Sequence, residues 1–218
     1  MLNYLTFNTV SEFFCLTVAL ICLLKDKELI WRLLIVFLFV TTACETGGIF
    51  FATEYHDNQW LYNIFIVFEA AFVLAIFNNL FKKHGGNPLL AALGGVCFAG
   101  SYISDLMSHG FFKYSNNTFT IMSVLYVTFA LYFFYLLVKS DIYIDLKYSA
   151  EFWWATGTLL FYFGTTACNI FDKHLEKILI TPTLNLSYFI FAVLDVVLYG
   201  FWSYSFICKR WEAKKLEP

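Results

Sequence analysis

An apolar segment from Trp60 to Phe77, WLYNIFIVFEAAFVLAIF, is long enough to cross a bilayer and carries Glu69 near its middle. Apolar segments of about 18 residues or more are the sequence signal of transmembrane helices. Seven such segments occur in the chain, and short connections join them. The sequence therefore predicts an all-α membrane protein in which residues 1–218 form a single seven-helix transmembrane domain. The predicted helices are 4–24, 29–52, 60–81, 88–108, 118–138, 152–171 and 183–208.

The composition supports a lipid environment. Hydrophobic residues make up 60% of the chain and charged residues 14%, whereas soluble domains are about 45–50% apolar and about 25% charged. Such a chain has more apolar surface than a core of its own size can bury. The lipid bilayer is therefore the first predicted partner, and no nucleic-acid partner is predicted.

Lysine and arginine residues are distributed unevenly between the two sets of loops. Three of the fourteen, Lys113, Lys173 and Lys177, lie on one side, and eleven lie on the other. Cytoplasmic loops of membrane proteins carry an excess of Lys and Arg. We therefore predict that the N-terminus is outside and the C-terminus inside. The eleven that define the basic end are Lys25, Lys27, Arg32, Lys82, Lys83, Lys139, Lys147, Lys209, Arg210, Lys214 and Lys215.

Five acidic residues interrupt the apolar segments, and each costs about 2.5–3.5 kcal/mol at the centre of an inserted helix. With the N-terminus outside, all five lie in the outer half of the membrane. No lysine or arginine lies deep in a segment to pair with them, so they must be protonated, hydrated or bound to a cation. This predicts an outward-facing cavity lined by carboxyl groups, above an apolar cytoplasmic half. Hydrogen bonding between neutral acids of neighbouring helices is the alternative.

An internal repeat relates the polar positions of the segments. The interval from Glu12 to Glu69 is 57 residues, and the interval from Glu69 to Tyr126 is also 57. The sequence TTAC recurs in the second and sixth segments. The pattern predicts three helical hairpins and a seventh helix that repeats the first helix of a hairpin. The aligned positions, which are the predicted ligand- or cation-binding residues, are Glu12, Glu45, Glu69, Asp105, Tyr126, Asn169 and Asp195.

Further polar residues near the predicted outer ends are candidates for lining the same cavity: Asn8, Asn63, Asn185 and Tyr188. Ordinary hydrogen bonding between helices is the alternative role for each of them. Three histidines, His56, His109 and His174, lie in outer loops near acidic residues. They indicate either a weak outer metal site or simply solvated loop positions, and the sequence leaves the question of a metal open.

No set of catalytic residues is recognisable, so the chain is not predicted to be an enzyme, and no cofactor is predicted. The seventh segment has no lysine that would form a retinal Schiff base. The first functional hypothesis is a receptor-like or partner-regulating protein that binds a small cation or amine and acts on a cytoplasmic or membrane signalling partner. The second is a cation- or proton-coupled transporter or channel, in which a homo-oligomer would build a pore that one chain lacks.

The stretches WLYNIFIVFEAAF and EFWWATGTLLFYFG, the latter at residues 151–164, resemble a group of short bacterial seven-helix membrane proteins. In that group the third helix carries an Asn or His and a Glu at this spacing, and an FW pair opens the sixth. The resemblance implies a stand-alone seven-helix unit in a bacterial inner membrane. It implies neither a mechanism nor site residues.

Overall fold

Seven long α-helices account for most of the protein, and 85% of the structure is helical. The computed structural model describes residues 6–140, 145–181 and 184–215. Each predicted apolar segment coincides with one helix, although the segments 4–24 and 183–208 begin outside the described residues. The helices are α1 (Phe7–Leu23), α2 (Leu29–Tyr55), α3 (Gln59–Lys83), α4 (Leu89–His109), α5 (Asn116–Lys139), α6 (Ala150–Leu175) and α7 (Leu186–Lys215).

Among the described residues, five helices are long and apolar enough to cross a membrane: α2, α3, α4, α5 and α7. The prediction of an all-α membrane protein is therefore confirmed to the extent that five helices could span a membrane. Helix α1 is apolar but has only 17 residues. Helix α6 has 26 residues but is less apolar, because glycines and threonines such as Gly157, Thr158, Thr165 and Thr166 interrupt its sequence.

A short hairpin between α6 and α7 was not predicted from the sequence. Strands β1 (Leu179–Thr181) and β2 (Leu184–Asn185) pair antiparallel, with Leu179 opposite Asn185. The seventh helix consequently begins at Leu186, three residues after the predicted start at 183. Asn185 sets this boundary, because its side-chain oxygen accepts a hydrogen bond from the backbone N–H of Tyr188 at 2.8 Å, as a helix N-cap does.

Six helices form a closed ring. In order around the ring they are α1, α2, α3, α5, α6 and α7, with α7 packed against α1. Helix α4 lies outside this ring and packs on α3 and α5. It therefore occupies a different position from α2 and α6, to which the sequence repeat relates it. The repeat itself stays a prediction.

Aromatic side chains fill the ring in the half nearer the basic end. Phe77, Phe81 and Phe133 are fully buried there. Trp154 meets Phe77 edge-on with ring centroids 5.3 Å apart, and it stacks on Trp202 at 5.8 Å. Such rings bury large apolar areas and pack in preferred geometries. This half of the ring is therefore a packed core.

The outward faces of the helices are apolar as well, as expected where the surrounding solvent is lipid. Large hydrophobic side chains are exposed along helices that belong to the ring and along α4. Examples are Phe14, Ile21, Phe39, Leu93, Val96 and Phe163.

Candidate functional site

A cavity of about 180 Å³ lies inside the ring, toward the end opposite the basic end. Each of the six ring helices contributes to its wall, and α4 does not. Four carboxyl groups line it, each from a different helix: Glu12 on α1, Glu45 on α2, Glu69 on α3 and Asp195 on α7. The structure thus brings together four of the five acids that the sequence placed in one cavity.

Each of the three glutamates accepts a hydrogen bond from a tyrosine on another helix. A phenol oxygen donates its hydrogen to a carboxyl oxygen in every case, so the pairs tie α2 to α3, α3 to α6 and α1 to α7. The pairs are Tyr62 with Glu45 at 3.1 Å, Tyr162 with Glu69, and Tyr199 with Glu12 at 3.3 Å.

Two oxygen atoms on α1 are buried without a hydrogen-bond partner. Glu12 is only 5% exposed, and while its Oε1 accepts from Tyr199, its Oε2 has no partner. The side-chain oxygen of Asn8, one helical turn earlier, is also buried and unpartnered. Both residues line the cavity. Because leaving a buried acceptor unsatisfied costs about 1–3 kcal/mol, this corner of the cavity lacks a hydrogen-bond donor.

The described part of the cavity wall carries no positively charged side chain. Among the described residues that line it there is no lysine, arginine or histidine. Aromatic side chains dominate the rest of the wall, and Phe37 and Trp202 lie on the side of the packed core. The described wall therefore consists largely of hydrogen-bond acceptors and aromatic rings, without a cationic side chain.

Gly48 on α2 allows one of the tyrosine–glutamate pairs to form. A Cβ atom at this position would lie 2.5 Å from the hydroxyl oxygen of Tyr62, the group that donates to Glu45. The neighbouring Gly47 is less constrained, since its Cβ would lie 3.7 Å from Leu61. Close approach of α2 and α3 at this glycine pair therefore depends on Gly48.

Asp105, which the sequence placed in the same site, does not line this cavity. Its Oδ2 accepts hydrogen bonds from the backbone N–H and the hydroxyl of Thr118, each at 2.8 Å, and its Oδ1 accepts from Asn117 at 2.9 Å. Thr118 lies in the first turn of α5, where backbone N–H groups lack partners within the helix. Asp105 therefore caps α5 from the neighbouring helix α4.

Two other residues of the predicted repeat, Tyr126 and Asn169, also lie outside the cavity lining. Tyr126 is fully buried one layer away, with its ring edge-on to that of Tyr162 at 4.8 Å. Its hydroxyl has no hydrogen-bond partner. Asn169 is half-buried on α6.

Of the four additional lining candidates, two have structural roles instead and a third is exposed. The side chain of Asn63 holds the loop before α5, because it donates to the carbonyls of Phe111 and Lys113 at 2.7 and 2.8 Å. Asn185 caps α7, and Tyr188 is exposed. Asn8 is the one of the four that lines the cavity.

Metal coordination is not supported by the geometry. In the part of the chain that the structure describes, no group of three or more His, Cys, Asp and Glu side chains is arranged to hold a metal ion. This applies to the acids of the cavity and to His56, His109 and His174. Protein sites for divalent cations need several such ligands converging on one point.

A network of charged side chains at the basic end was not anticipated from the sequence. Glu151, at the start of α6, accepts from Lys83 and contacts Nε2 of His84, each at 2.6 Å. Glu28, before α2, contacts Lys209 at 2.8 Å and Lys83 at 3.7 Å. Lys209 is only 6% exposed although it is charged, and it lies over the ring of Trp31. The network links α3, α6 and α7 with the segment that precedes α2.

The tyrosines of the site were not recognised from the sequence. The tyrosines that bind the three glutamates are among 14 in the chain, so residue type alone does not mark them. Tyr199 carried a usable signal, because it follows Asp195 by four residues and so shares its helix face. Tyr62 and Tyr162 became recognisable only once the packing of α3 and α6 was known.

Comparison with known proteins finds no matching family model, no matching curated protein and no matching solved structure.

Proposed function

We propose that the protein is a receptor-like membrane protein that binds a small cation in the six-helix cavity and regulates a partner at its basic end. The observation that carries the proposal is the surplus of acceptors around Glu12. Four acids and Asn8 line the cavity, Glu12 is almost fully buried with one oxygen unpartnered, and no basic residue is present among the described lining residues. A bound cation supplies both the charge and the hydrogen-bond donors that this wall lacks.

In the proposed topology all seven helices span the membrane, with the N-terminus outside. The excess of Lys and Arg at the basic end supports this orientation. The 17 residues of α1 are at the short limit for a span. Helix α6 is the least apolar, and its packing between α5 and α7 reduces its contact with lipid. The resemblance to short bacterial seven-helix proteins favours a bacterial inner membrane.

Three helices connect the cavity with the basic end. Helix α3 carries Glu69 and Lys83, α6 carries Tyr162 and Glu151, and α7 carries Asp195 and Lys209. Asp195 and Lys209 are 14 residues apart, which is about 21 Å along a helix. A cation that draws the carboxyl groups together displaces the same helices that carry the charged network. We propose that a cytoplasmic partner contacts this charged network and responds to its rearrangement.

A second candidate function, cation-coupled transport, is favoured by one observation. A gap of about 10 Å³ lies beside Trp154, Asn79 and Glu151, between the cavity and the basic end. The indole N–H of Trp154 is buried and has no hydrogen-bond partner. A space of this size is close to the minimum that holds one water molecule. A water there would be one step of a polar path past the stacked pair Trp154 and Trp202.

The proposal is tested by thermal unfolding of the purified protein in nanodiscs, with and without small cations. Because a ligand that binds only the folded state stabilises it, a bound cation raises the unfolding temperature, and the rise grows with the ratio of cation concentration to Kd. We expect such a rise for the wild type and for Asp105→Asn, and a much smaller one for Glu12→Gln. Equal rises in all three proteins would place cation binding outside the cavity and refute the proposal.

A further inference from the structure

We propose that the cation bound in this cavity is a short aliphatic diamine, with two ammonium groups joined by a chain of about four carbon atoms. This inference rests on the proposed function, because it names the class of ligand for the same cavity. It is drawn from four properties of the wall: the placement of the acids, the aromatic surface, the volume, and the unpartnered acceptors.

The four acids surround the cavity without converging on one point. They come from four different helices, and no three of them are arranged to hold a metal ion. The carboxyl groups are therefore spread around the wall. A single ion can contact the carboxyl groups on only one side of the cavity. A ligand with two separated positive groups can contact carboxyl groups on two sides at the same time.

The walls between the acids suit an organic cation better than a hydrated metal ion. Nine of the 17 lining residues are aromatic, among them Phe37, Phe65, Phe119 and Trp202. Aromatic faces attract ammonium groups through the ring quadrupole and also cover the alkyl chain between them. The phenylalanine and tryptophan rings supply no oxygen ligands, so a small metal ion would lose part of its water shell against them without replacement.

The volume has room for more than a single ion. A cavity of 180 Å³ is many times the ~10–15 Å³ that one water molecule needs. It therefore accommodates a chain of two nitrogens and about four carbons, whereas a single ammonium ion leaves most of it unfilled.

The unpartnered acceptors fix where one end of the ligand binds. An ammonium group has three donors, and Glu12 Oε2 and the Asn8 oxygen are buried acceptors without donors, one helical turn apart on α1. We assign the first ammonium group to this corner. The second lies toward Glu69 on α3, a helix separated from α1 in the ring by α2. The Tyr162 hydroxyl holds Glu69 in position through one hydrogen bond, which leaves its second oxygen for the ligand.

The test compares probes that differ in one property each, by titration calorimetry on the full-length protein in nanodiscs at pH 7. The probes are 1,4-diaminobutane, n-butylamine with the same chain and one charge, sodium chloride and magnesium chloride. We expect 1,4-diaminobutane to bind at least about tenfold more tightly than n-butylamine, because one more charge-assisted hydrogen-bonded group is engaged. Sodium and magnesium at the same concentration should not displace it.

Substitutions of the two proposed acids test which residue binds each ammonium group of the ligand. Glu12→Gln and Glu69→Gln should each reduce the affinity for 1,4-diaminobutane to about that of n-butylamine, and Asp105→Asn should leave it unchanged. Having one variant at each end keeps the test informative if the other fails to fold. Equal affinities for the diamine and n-butylamine, or displacement by sodium or magnesium, would overturn the diamine assignment and leave cation binding intact. Binding of none of the four probes would refute the proposed function as well.

Discussion

The hydroxyl of Tyr162 on α6 donates a hydrogen bond to the carboxyl group of Glu69 on α3, and this bond joins two helices across the cavity. Next to it, Tyr126 on α5 places its ring edge-on to that of Tyr162, at a centroid distance of 4.8 Å. The two tyrosines are both buried and touch each other, but only Tyr162 is hydrogen-bonded to a carboxyl group. They form a matched pair for measuring what the bond contributes.

Tyr162→Phe should lower the free energy of unfolding by about 1–3 kcal/mol, because it leaves a carboxyl oxygen in the cavity without its donor. Tyr126→Phe removes a buried hydroxyl that has no partner, so it should not lower the stability and can raise it. Chemical unfolding in mixed micelles measures both. Equal losses from the two substitutions would show that the bond to Glu69 does not stabilise the bundle.

Gly48→Ala should perturb the cavity although it adds only one methyl group. Its Cβ would lie 2.5 Å from the Tyr62 hydroxyl oxygen, so the ring must move away from Glu45. We expect a loss of about 1–3 kcal/mol in stability from the strain and the broken hydrogen bond. Gly47→Ala is the control, because its Cβ makes an ordinary 3.7 Å contact and should be tolerated. Both are measured by thermal unfolding, and a Gly48→Ala protein as stable as Gly47→Ala would contradict the account.

Asp105→Ala should destabilise the protein by about 1–2 kcal/mol, as the loss of a helix cap does, without affecting cation binding. Its carboxylate holds the first turn of α5 through Thr118 and does not reach the cavity. Amide hydrogen exchange should show faster exchange in the first turn of α5. If Asp105→Ala instead abolished the stabilisation by cations while α5 stayed protected, the assignment of Asp105 as a cap would be wrong.

Glu151→Gln should loosen the basic end. The buried carboxylate of Glu151 holds both Lys83 and His84 at 2.6 Å, and losing its charge weakens both contacts, leaving Lys83 only the longer contact with Glu28 at 3.7 Å. Lys83 is about half exposed, so we expect a loss of about 1–3 kcal/mol, below that of a fully buried pair. Glu54→Gln, at an exposed position near the opposite end, should be neutral. The comparison is made by chemical unfolding, and equal stability of the two variants would show that the network does not hold the helices together.

Much of the fold could be predicted because lipid imposes a simple rule. A segment that crosses a bilayer must satisfy its backbone internally and present apolar side chains, so length and hydropathy predict each helix. Helix α6 shows the limit of this reasoning, since its polar and small residues are tolerated by packing between α5 and α7. The start of α7 shows another, because the β1–β2 hairpin depends on local pairing that hydropathy does not report.

The site was predictable in part for a similar reason. Acids in apolar segments are rare enough to be noticed, and Glu12, Glu45, Glu69 and Asp195, selected for that reason, line one cavity in the structure. Asp105 was selected by the same rule but has another role, because the position of α4 outside the ring cannot be read from spacing. The tyrosine partners were missed because a phenol is common in this chain and its hydrogen bond depends on the partner helix.

The most direct test of the account is a parallel measurement of cation binding and cation flux in proteoliposomes. The cavity ends at the packed core around Trp154 and Phe77, so we predict saturable binding that Glu12→Gln weakens, with no flux above that of protein-free liposomes. Flux of the bound cation that Glu12→Gln or Glu69→Gln abolishes would contradict the receptor-like account and establish transport instead.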